Sequence, residues 1–405
     1  EEHDTSYKQD EGVIYNARDM AISRASFEKV PIHLITSIPS VETFNNIKNK
    51  KYRHFKILQR YNNFPLPKTK IINLNIKKIK KNFISEEAIT EVKKFLEKNE
   101  LVLFFLNRRG YAPYLICKKC GYKQSCPNCS LYLTFHKKKQ KAICHHCSFE
   151  KRIARDCEEG GVCNFIMYGP GVEKIFEEVT EIFPSKNIDI FSSDYMKKKN
   201  NEKLLFDKIS NNKIDILIGT QMISKGFNFP RLNCIVVIDA DFSGRGYDLR
   251  TTERNIQLYH QLSGRAGRFS SNSLIIYQTL SPENITLNEL IKDRSEKLLT
   301  NELMVRQKNH LPPFIRLIAI IVSANTHNLS IKGAKEIKNH LIKINEIEIL
   351  GPVDSPLLKI KKKFRSRLLI RFKGKSLIQK KIINLLNNLK ISNKIKLIVD
   401  VDPVN

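Results

Sequence analysis

Residues 213–230 read KIDILIGTQMISKGFNFP. The run Ile216-Leu217-Ile218 passes straight into Gly219-Thr220-Gln221, with Lys225, Gly226 and Pro230 close behind. A strand without polar alternation is covered on both faces, as in a parallel sheet. Ligands of α/β proteins bind outside the C-terminal ends of such strands. There, Thr220, Lys225 and backbone N–H groups suit a nucleic-acid phosphate.

The surroundings repeat the pattern. LVLFFLN (101–107) and LNCIVVIDAD (232–241) read as buried strands. SEEAITEVKKFLEKNE (85–100) is a helix with a Ser N-cap and acids in its first turn. GPGVEKIFEEVTEIF (169–183) is amphipathic, and RTTERNIQLYHQLSGRAGR (250–268) reads as a loop plus a helix. Strands alternating with helices imply an α/β fold around a parallel sheet. Toward the N-terminus, VPIHLITS (30–37) predicts a strand turned at Pro39, and residues 64–83 predict a linker with one short strand. From about residue 305 the character changes. RLIAIIVSA, EILGP and SRLLIRFKG read as strands, AKEIKNHLIKI and LIQKKIINLLNNL as helices: a small α+β domain.

Eight of the nine cysteines fall between Cys117 and Cys163. CKKCGYKQSCPNC supplies two C-x2-C knuckles, Cys117/Cys120 and Cys126/Cys129; Cys144/Cys147 is a third and Cys157/Cys163 a looser pair. A C-x2-C turn sets two thiolates on one side of a tight loop, and two pairs close a tetrahedral zinc site. Eight ligands make two sites, both structural, because four thiolates leave no open position. His136, His145 and His146 read as surface residues or groups around the ligands, and Cys234 as an apolar filler in its strand.

QLSGRAGR (261–268) places Arg265 and Arg268 three apart, on one side of an expected helix, with Gly264 and Gly267 leaving room for close approach. Two convergent guanidiniums suit a triphosphate. Asp239 and Asp241 after the third strand are as compatible with capping as with a metal.

The net charge is +29 with 41% hydrophobic residues in 405. Such a balance points to a polyanionic partner, although a coding bias toward Lys, Ile and Asn accounts for part of it. No acidic residue occurs from Ser355 to Ile398, where Lys359, Lys361, Lys362, Lys363, Arg365, Arg367, Arg371, Lys373 and Lys375 cluster around a strand. No stretch is apolar over 18 residues, and the start is polar and acidic, so neither a membrane span nor a signal peptide is expected. The expected compartment is the cytoplasm, where thiols stay reduced.

Taken in order, EEHDTSYKQ (1–9), YNARDMAISRA (15–25), NRRGYAPYLICKKCG (107–121), the paired knuckles, GPGVEK (169–174), GTQMISKGFNFP (219–230), DADF (239–242), ER (253–254) with QLSGRAGR, LPPF (311–314), LGP (350–352) and VDVDP (399–403) resemble the primosomal protein N′ (PriA) family of superfamily 2 replication-restart helicases over nearly the whole length. The resemblance implies RecA-like helicase lobes, the first partial, an inserted zinc module with two sites, and a small α+β C-terminal domain. The implied divisions are 1–75 (C-terminal part of lobe 1), 76–116 (linker and start of lobe 2), 117–165 (zinc insertion), 166–304 (lobe 2) and 305–405 (C-terminal domain).

It implies an ATP-dependent 3′→5′ DNA helicase of replication restart and primosome assembly. Its implied partners are forked and single-stranded DNA, single-strand-binding protein and helicase-loading proteins. Glu1 corresponds to the glutamate of the DEEH motif that activates water, and His3 to the histidine coupling ATP to DNA. Tyr7, Lys8 and Tyr15 lie in the aromatic-rich loop, whose rings can stack on bases. Arg265 and Arg268 correspond to the arginines reaching the γ-phosphate, and Gly219, Thr220, Gln221 and Lys225 to the DNA-contacting motif. The family's zinc pairing implies Cys117, Cys120, Cys157 and Cys163 on one ion, and Cys126, Cys129, Cys144 and Cys147 on the other. The basic C-terminal cluster is implied to contact DNA or single-strand-binding protein.

Three departures stand out. Ile38 in TSIPS (36–40) replaces a threonine of the family's SATPS, the fourth cysteine pair is C-x5-C, and no G-x-x-x-x-G-K-[ST] occurs. The expectation is a C-terminal helicase fragment starting inside DEEH, inactive in ATP hydrolysis alone. ATP with Mg²⁺ is then expected only when a Walker A lobe is supplied. The alternative is a non-hydrolytic, zinc-stabilised DNA-binding platform for primosome assembly.

Overall fold

The computed structural model describes residues 1–9, 12–57, 59–60, 63–75, 83–106, 114–117, 126–128, 133–136, 141–144, 149–152, 165–168, 171–192, 196, 201–224, 228–241, 250–292, 294–373 and 377–403.

The chain opens with a hairpin of β1 (Lys8–Gln9) and β2 (Tyr15–Asn16). Asn16 caps α1 (Ala17–Glu28) by accepting the Arg18 N–H, and Ser40 caps α2 (Val41–Lys48) by accepting that of Thr43. Residues 30–37, predicted as a strand, form none. No described strand lies alongside to pair with them; the Ile35 carbonyl accepts the Glu2 N–H instead.

Next come β3 (Lys68–Asn73), α3 (Glu86–Leu96) and β4 (Leu101–Phe105). A cysteine-rich insertion holds β5 (Tyr114–Cys117), β6 (Thr134–His136), β7 (Lys141–Ile143), β8 (Glu150–Arg152) and β9 (Phe165–Tyr168), an antiparallel sheet in the order β8-β7-β6-β5-β9. The α/β pattern resumes with α4 (Val172–Ile182), β10 (Ile188–Phe191), α5 (Asn201–Ser210), β11 (Ile216–Gly219), β12 (Leu232–Val237), α6 (Thr251–Ser263) and β13 (Leu274–Thr279). Six strands form one parallel sheet, β10-β11-β4-β12-β13-β3.

Alternation splits each strand between two cores. Leu103, Phe105, Leu217, Ile235 and Val237 pack with Leu205 of α5 and Tyr259 and Leu262 of α6. Val102, Phe104, Ile218, Cys234 and Val236 pack with Val92 of α3 and Val179 of α4. Double coverage is why the strand sequences lack polar alternation. The sequence reading placed the first division's end at residue 75. Instead, β3 is the edge strand of this sheet, in register with β13 from Lys68 opposite Leu274 to Asn73 opposite Thr279.

Helices α7 (Ile285–Ile291) and α8 (Ser295–Lys308) lead to the last unit. It comprises β14 (Arg316–Ala324), α9 (His327–Leu341), β15 (Ile347–Ile360), β16 (Lys363–Phe372), α10 (Ile378–Asn388) and β17 (Ile395–Val401). Its antiparallel sheet runs β15-β16-β14-β17, with a core of Ile320, Val322, Ile337, Leu368, Ile370 and Ile382. The N-terminal segment joins the parallel-sheet domain through Ile38, Val41 and Phe44, which pack on Ile256 of α6 and Leu298, Leu299 and Leu303 of α8. Among the described residues, no helix is long and apolar enough to cross a membrane.

Candidate motor site

Residues 1–3 are anchored from three directions. Glu2, 5% exposed, accepts the Ser40 N–H at 2.5 Å, the Ser40 hydroxyl at 3.1 Å and an Arg18 Nη1–H at 2.8 Å. His3 stands between Thr36 Oγ1 (2.8 Å from Nδ1) and Gln261 Nε2 (2.9 Å from Nε2). The Thr36 hydroxyl proton is committed to the Ile38 carbonyl at 2.7 Å, so Thr36 accepts from His3 Nδ1–H. Nε2 is then the lone-pair nitrogen and accepts from the Gln261 amide. Burial lowers the His3 pKa below its usual value, in keeping with a neutral ring. EEH, TSIPS and QLSGRAGR, far apart in sequence, therefore meet at one imidazole. The sequence reading singled out His3 but not its partners Thr36 and Gln261. Ile38, which stands where the family has a threonine, is 2% exposed in an apolar cluster, and the nearby Thr36 presents a hydroxyl to His3.

Arg265 and Arg268 lie after α6, not on it as the spacing predicted. Gly264 caps the helix, and Gly267 sits at φ +66, where a Cβ would come within 2.2 Å of Ser273 Oγ. The Gly267 N–H donates to the Leu232 carbonyl at 3.0 Å, pinning the turn to the start of β12. Arg268 Nε donates to the Gly264 carbonyl at 2.9 Å. Burial, and then the neighbouring Arg268, lower the Arg265 pKa; the Glu1 carboxylate opposes them. The Glu1 charge is thus felt at Arg265. A cavity of about 450 Å³ beside the turn is lined by Arg60, Asn228, Gly264, Arg268 and Phe269.

Gly219 ends β11, its Cα packed toward Ile223 and Leu103, and Thr220 and Gln221 start a short 3-10 turn (Gln221–Ser224) at the sheet's C-terminal edge. Lys225 lies outside the described residues. Asp241 is a structural cap: it accepts from the Thr279 hydroxyl, the Leu280 N–H (3.1 Å) and the Ser281 N–H (3.3 Å).

Tyr7 and Tyr15 are exposed. Lys8 is not available as a DNA contact in this conformation, a correction to its expected role. Its side chain is 5% exposed, paired with Asp400 at 2.7 Å and donating to the Val401 carbonyl at 2.9 Å. An ammonium this buried needs such partners. The motif ending in VDVDP thus docks the C-terminal sheet onto the hairpin.

A buried ionic cluster, unforeseen in the sequence, ties the segments together. Arg250 grips Glu42 with Nη2 (2.6 Å) and Nη1 (3.0 Å). Arg306 Nη2 donates to Glu253 at 2.9 Å and its Nε to Glu302 at 2.9 Å; Glu253 also accepts the Val41 N–H at 3.0 Å. Burial would raise the Glu42 carboxyl, but Arg250 outweighs it and holds it at about 2. Burial, then the Glu42 charge, raise that of Glu253.

Among the candidate zinc ligands, Cys117, Cys126 and Cys144 are described and buried, and none is in a disulfide. Cys120, Cys129, Cys147, Cys157 and Cys163 lie outside the described residues. Among the described residues no three metal-ligating side chains converge. The Asn128 N–H donates to Cys126 Sγ at 3.4 Å, the orientation of a thiolate knuckle, and the soft sulfur donor set fits zinc. Cys234 is a core residue whose thiol burial pushes up.

The C-terminal basic cluster divides. At the tip of the β15–β16 hairpin, Lys361 and Lys362 both take positive φ (46° and 66°), as a two-residue type I′ turn demands. The Lys362 N–H donates to the Asn128 carbonyl at 3.0 Å and Lys359 Nζ to that of Pro127 at 2.9 Å, so the hairpin braces the Cys126 knuckle. Arg371 Nη2 donates to the Asn309 and His310 carbonyls. Burial lowers the pKa of Arg365 and Arg367.

Three family models match parts of the chain. Residues 126–152 match the PriA DNA helicase Cys-rich region domain, 151–270 the helicase conserved C-terminal domain, and 307–404 the primosomal protein N C-terminal domain. The replication restart protein PriA of Rickettsia felis is 39% identical over 408 residues, covering 100% of this chain and 62% of the relative. That of Haemophilus influenzae is 32% identical over 406 residues, covering 100% of this chain and 56% of the relative. Among solved structures, S. cerevisiae Dbp5 bound to RNA and ADP BeF3 shares 11% identity at a TM-score of 0.36, over 72% of this chain and 58% of that one, too distant to add to the assignment. The chain spans about three-fifths of the length of the Rickettsia relatives it matches. With a RecA-like parallel-sheet domain, a cysteine-rich zinc region and a C-terminal domain in that order, the chain belongs to the PriA replication-restart family.

Proposed function

We propose that this chain forms the DNA-engaging, ATP-coupled part of a 3′→5′ replication-restart helicase. The observation that carries the reading is the His3 bridge. One neutral imidazole links the segment carrying Glu1 to the hydroxyl of Thr36 and to Gln261, four residues before Arg265. In this reading Glu1 orients the attacking water, and Arg265 and Arg268 stabilise charge on the transferring phosphoryl group. Mg²⁺ and the grip on the β- and γ-phosphates come from a Walker A lobe. His3 transmits the state of the nucleotide to the hairpin bearing Tyr7 and Tyr15, where single-stranded bases stack.

Two zinc ions, one on Cys117, Cys120, Cys157 and Cys163 and one on Cys126, Cys129, Cys144 and Cys147, hold the inserted sheet as a platform. Forked DNA, single-strand-binding protein and helicase-loading proteins are the proposed partners, in the cytoplasm. The basic C-terminal strand region supports DNA contact less strongly than its sequence implied, because several of its cations are engaged within the fold.

The test joins the chain to a lobe carrying the phosphate-binding loop and measures ATPase with and without single-stranded DNA. Arg265→Ala is expected to lower kcat by about 10³-fold. His3→Ala is expected to keep the basal rate and lose DNA stimulation. If His3→Ala leaves the stimulation intact, the coupling role is wrong. If the joined protein shows no ATPase at all, the non-hydrolytic platform is the better reading.

A further inference from the structure

We propose that Arg60, on the segment between α2 and β3, is a third arginine of the phosphate-binding cleft, completing with Arg268 a subsite for a phosphoryl group of the nucleotide. The inference rests on the reading that Arg265 and Arg268 face that nucleotide.

Position is the first argument. Arg60 Nη2 donates to the carbonyl of Ala266, the residue after Arg265, at 3.1 Å, and its Nη1 to the Pro65 carbonyl at 2.6 Å. These bonds orient the guanidinium plane and give the Arg265–Arg268 turn a second anchor beside that of Gly267 on Leu232. The second argument is space. Arg60 and Arg268 line the same cavity, about 450 Å³, with Gly264 leaving one wall bare of side chain and Asn228 adding a polar group. That volume admits a phosphate group and more.

Charge is the third argument. Arg268 spends Nε on the Gly264 carbonyl, and among the described residues its Nη atoms donate to nothing. Also among the described residues, no carboxylate comes within ion-pair distance of Arg60 or Arg268. Burial, and then the Arg268 charge, lower the proton affinity of Arg60, as burial and Arg268 do for Arg265. Arg268 is thus the charge that both Arg60 and Arg265 feel. Two like charges on one partly buried cavity, Arg60 and Arg268, favour an anion between them. Phosphate oxygens from a nucleotide or from a nucleic-acid backbone offer the same chemistry. The nucleotide is favoured because the cavity lies at the arginine turn and is lined by neither of the exposed rings, Tyr7 and Tyr15.

Arg60 also belongs to the segment joining α2 to β3. It would therefore report movement of that segment to the arginine turn.

The experiment titrates tripolyphosphate into the 405-residue chain by calorimetry at low salt, comparing Arg60→Gln, Arg60→Lys, Arg265→Gln and Arg268→Gln. Zinc content and unfolding midpoint serve as controls for folding. Arg60→Gln is expected to weaken binding about tenfold, as losing one charged hydrogen-bonding partner does. Arg60→Lys should recover part of it, keeping charge but not the planar fork. Binding unchanged in Arg60→Gln, or absent from the wild-type chain, overturns the proposal. A short single-stranded oligonucleotide that displaces tripolyphosphate and is weakened equally by Arg60→Gln assigns the subsite to backbone phosphate and overturns it too. If Arg60→Gln and Arg268→Gln weaken binding while Arg265→Gln does not, the subsite stands and the assignment of Arg265 to the nucleotide fails.

Discussion

Arg306→Met is the sharpest test of how the N-terminal segment is held. The guanidinium is 3% exposed and lies 2.9 Å from Glu253, whose side chain is equally enclosed. Methionine keeps most of the aliphatic volume, so the change isolates the charge. It strands the Glu253 carboxylate with Arg250 at 3.4 Å and the Val41 N–H as its remaining named partners. Removing one member of a buried pair costs about 3–5 kcal/mol. For a unit of this size that lowers the unfolding midpoint by about 10 °C. Glu253→Gln with Arg306→Met removes both charges and should recover more than half of the loss.

The pH response has a definite sign. Burial and the Glu42 charge already raise the Glu253 carboxyl, and losing Arg306 raises it further. The folded variant then binds a proton more readily than the unfolded chain, so its stability rises as pH falls toward the unfolded value of about 4.3. The gap from wild type should narrow between pH 8 and pH 5. Below that range Glu42 confuses the reading: its carboxyl is held at about 2, so stability it contributes above the unfolded value is lost as pH falls through that interval. Calorimetric scans at pH 5, 6.5 and 8 give the measurement. A loss under about 1 kcal/mol, or a double variant no better than the single one, would refute the clamp.

Two further outcomes test the remaining contacts. Ile38→Thr, restoring the family's residue, should destabilise by about 2–3 kcal/mol, because it removes buried carbon from the Val41–Phe44–Leu298 cluster and buries a hydroxyl there. Thermal unfolding measures it, and a stabilised variant would show that the cluster is not where Ile38 matters. Chelating zinc should release the β15–β16 hairpin, raising amide exchange at Lys362, whose N–H is held by Asn128 beside Cys126. Unchanged protection at Lys362 in the metal-free protein would separate the hairpin from the knuckle.

The parallel sheet was legible because its strands are apolar on both faces, and periodicity reports coverage directly. The strand predicted over 30–37 failed because the same apolar signal cannot say whether a neighbouring strand exists to accept its hydrogen bonds. The Arg265–Arg268 turn was misread as helix because heptad-like spacing continues past Ser263, whereas Gly264 and the positive φ of Gly267 end it. Those two glycines were visible, and a C-cap reading would have found the turn. The cluster of Glu42, Arg250, Glu253 and Arg306 left no local trace. Its members look like solvated charges until tertiary packing encloses them. Lys8 was grouped with Tyr7 and Tyr15 by its place in the family's aromatic-rich loop, and only the fold shows it spent on Asp400.

Residues 1–42 contribute few groups to either sheet core, yet their polar side chains reach every neighbouring unit. Glu2 fixes the start of α2, His3 touches Gln261 near the arginine turn, Lys8 holds Asp400 in the C-terminal sheet, and Glu42 grips Arg250. Such a segment has little rigidity of its own. Its position is set by whichever partners hold it. On the proposed reading, bases stacking on Tyr7 or Tyr15 pull on the hairpin that contains Lys8, five residues from His3. Movement there must either break the enclosed Lys8–Asp400 pair or carry the C-terminal sheet along, and both outcomes strain the His3–Gln261 bond. Gln261 lies on the last turn of α6, and Arg265 follows immediately after that helix ends. On that reading coupling needs no long pathway: one hydrogen bond and four residues of chain separate His3 from Arg265.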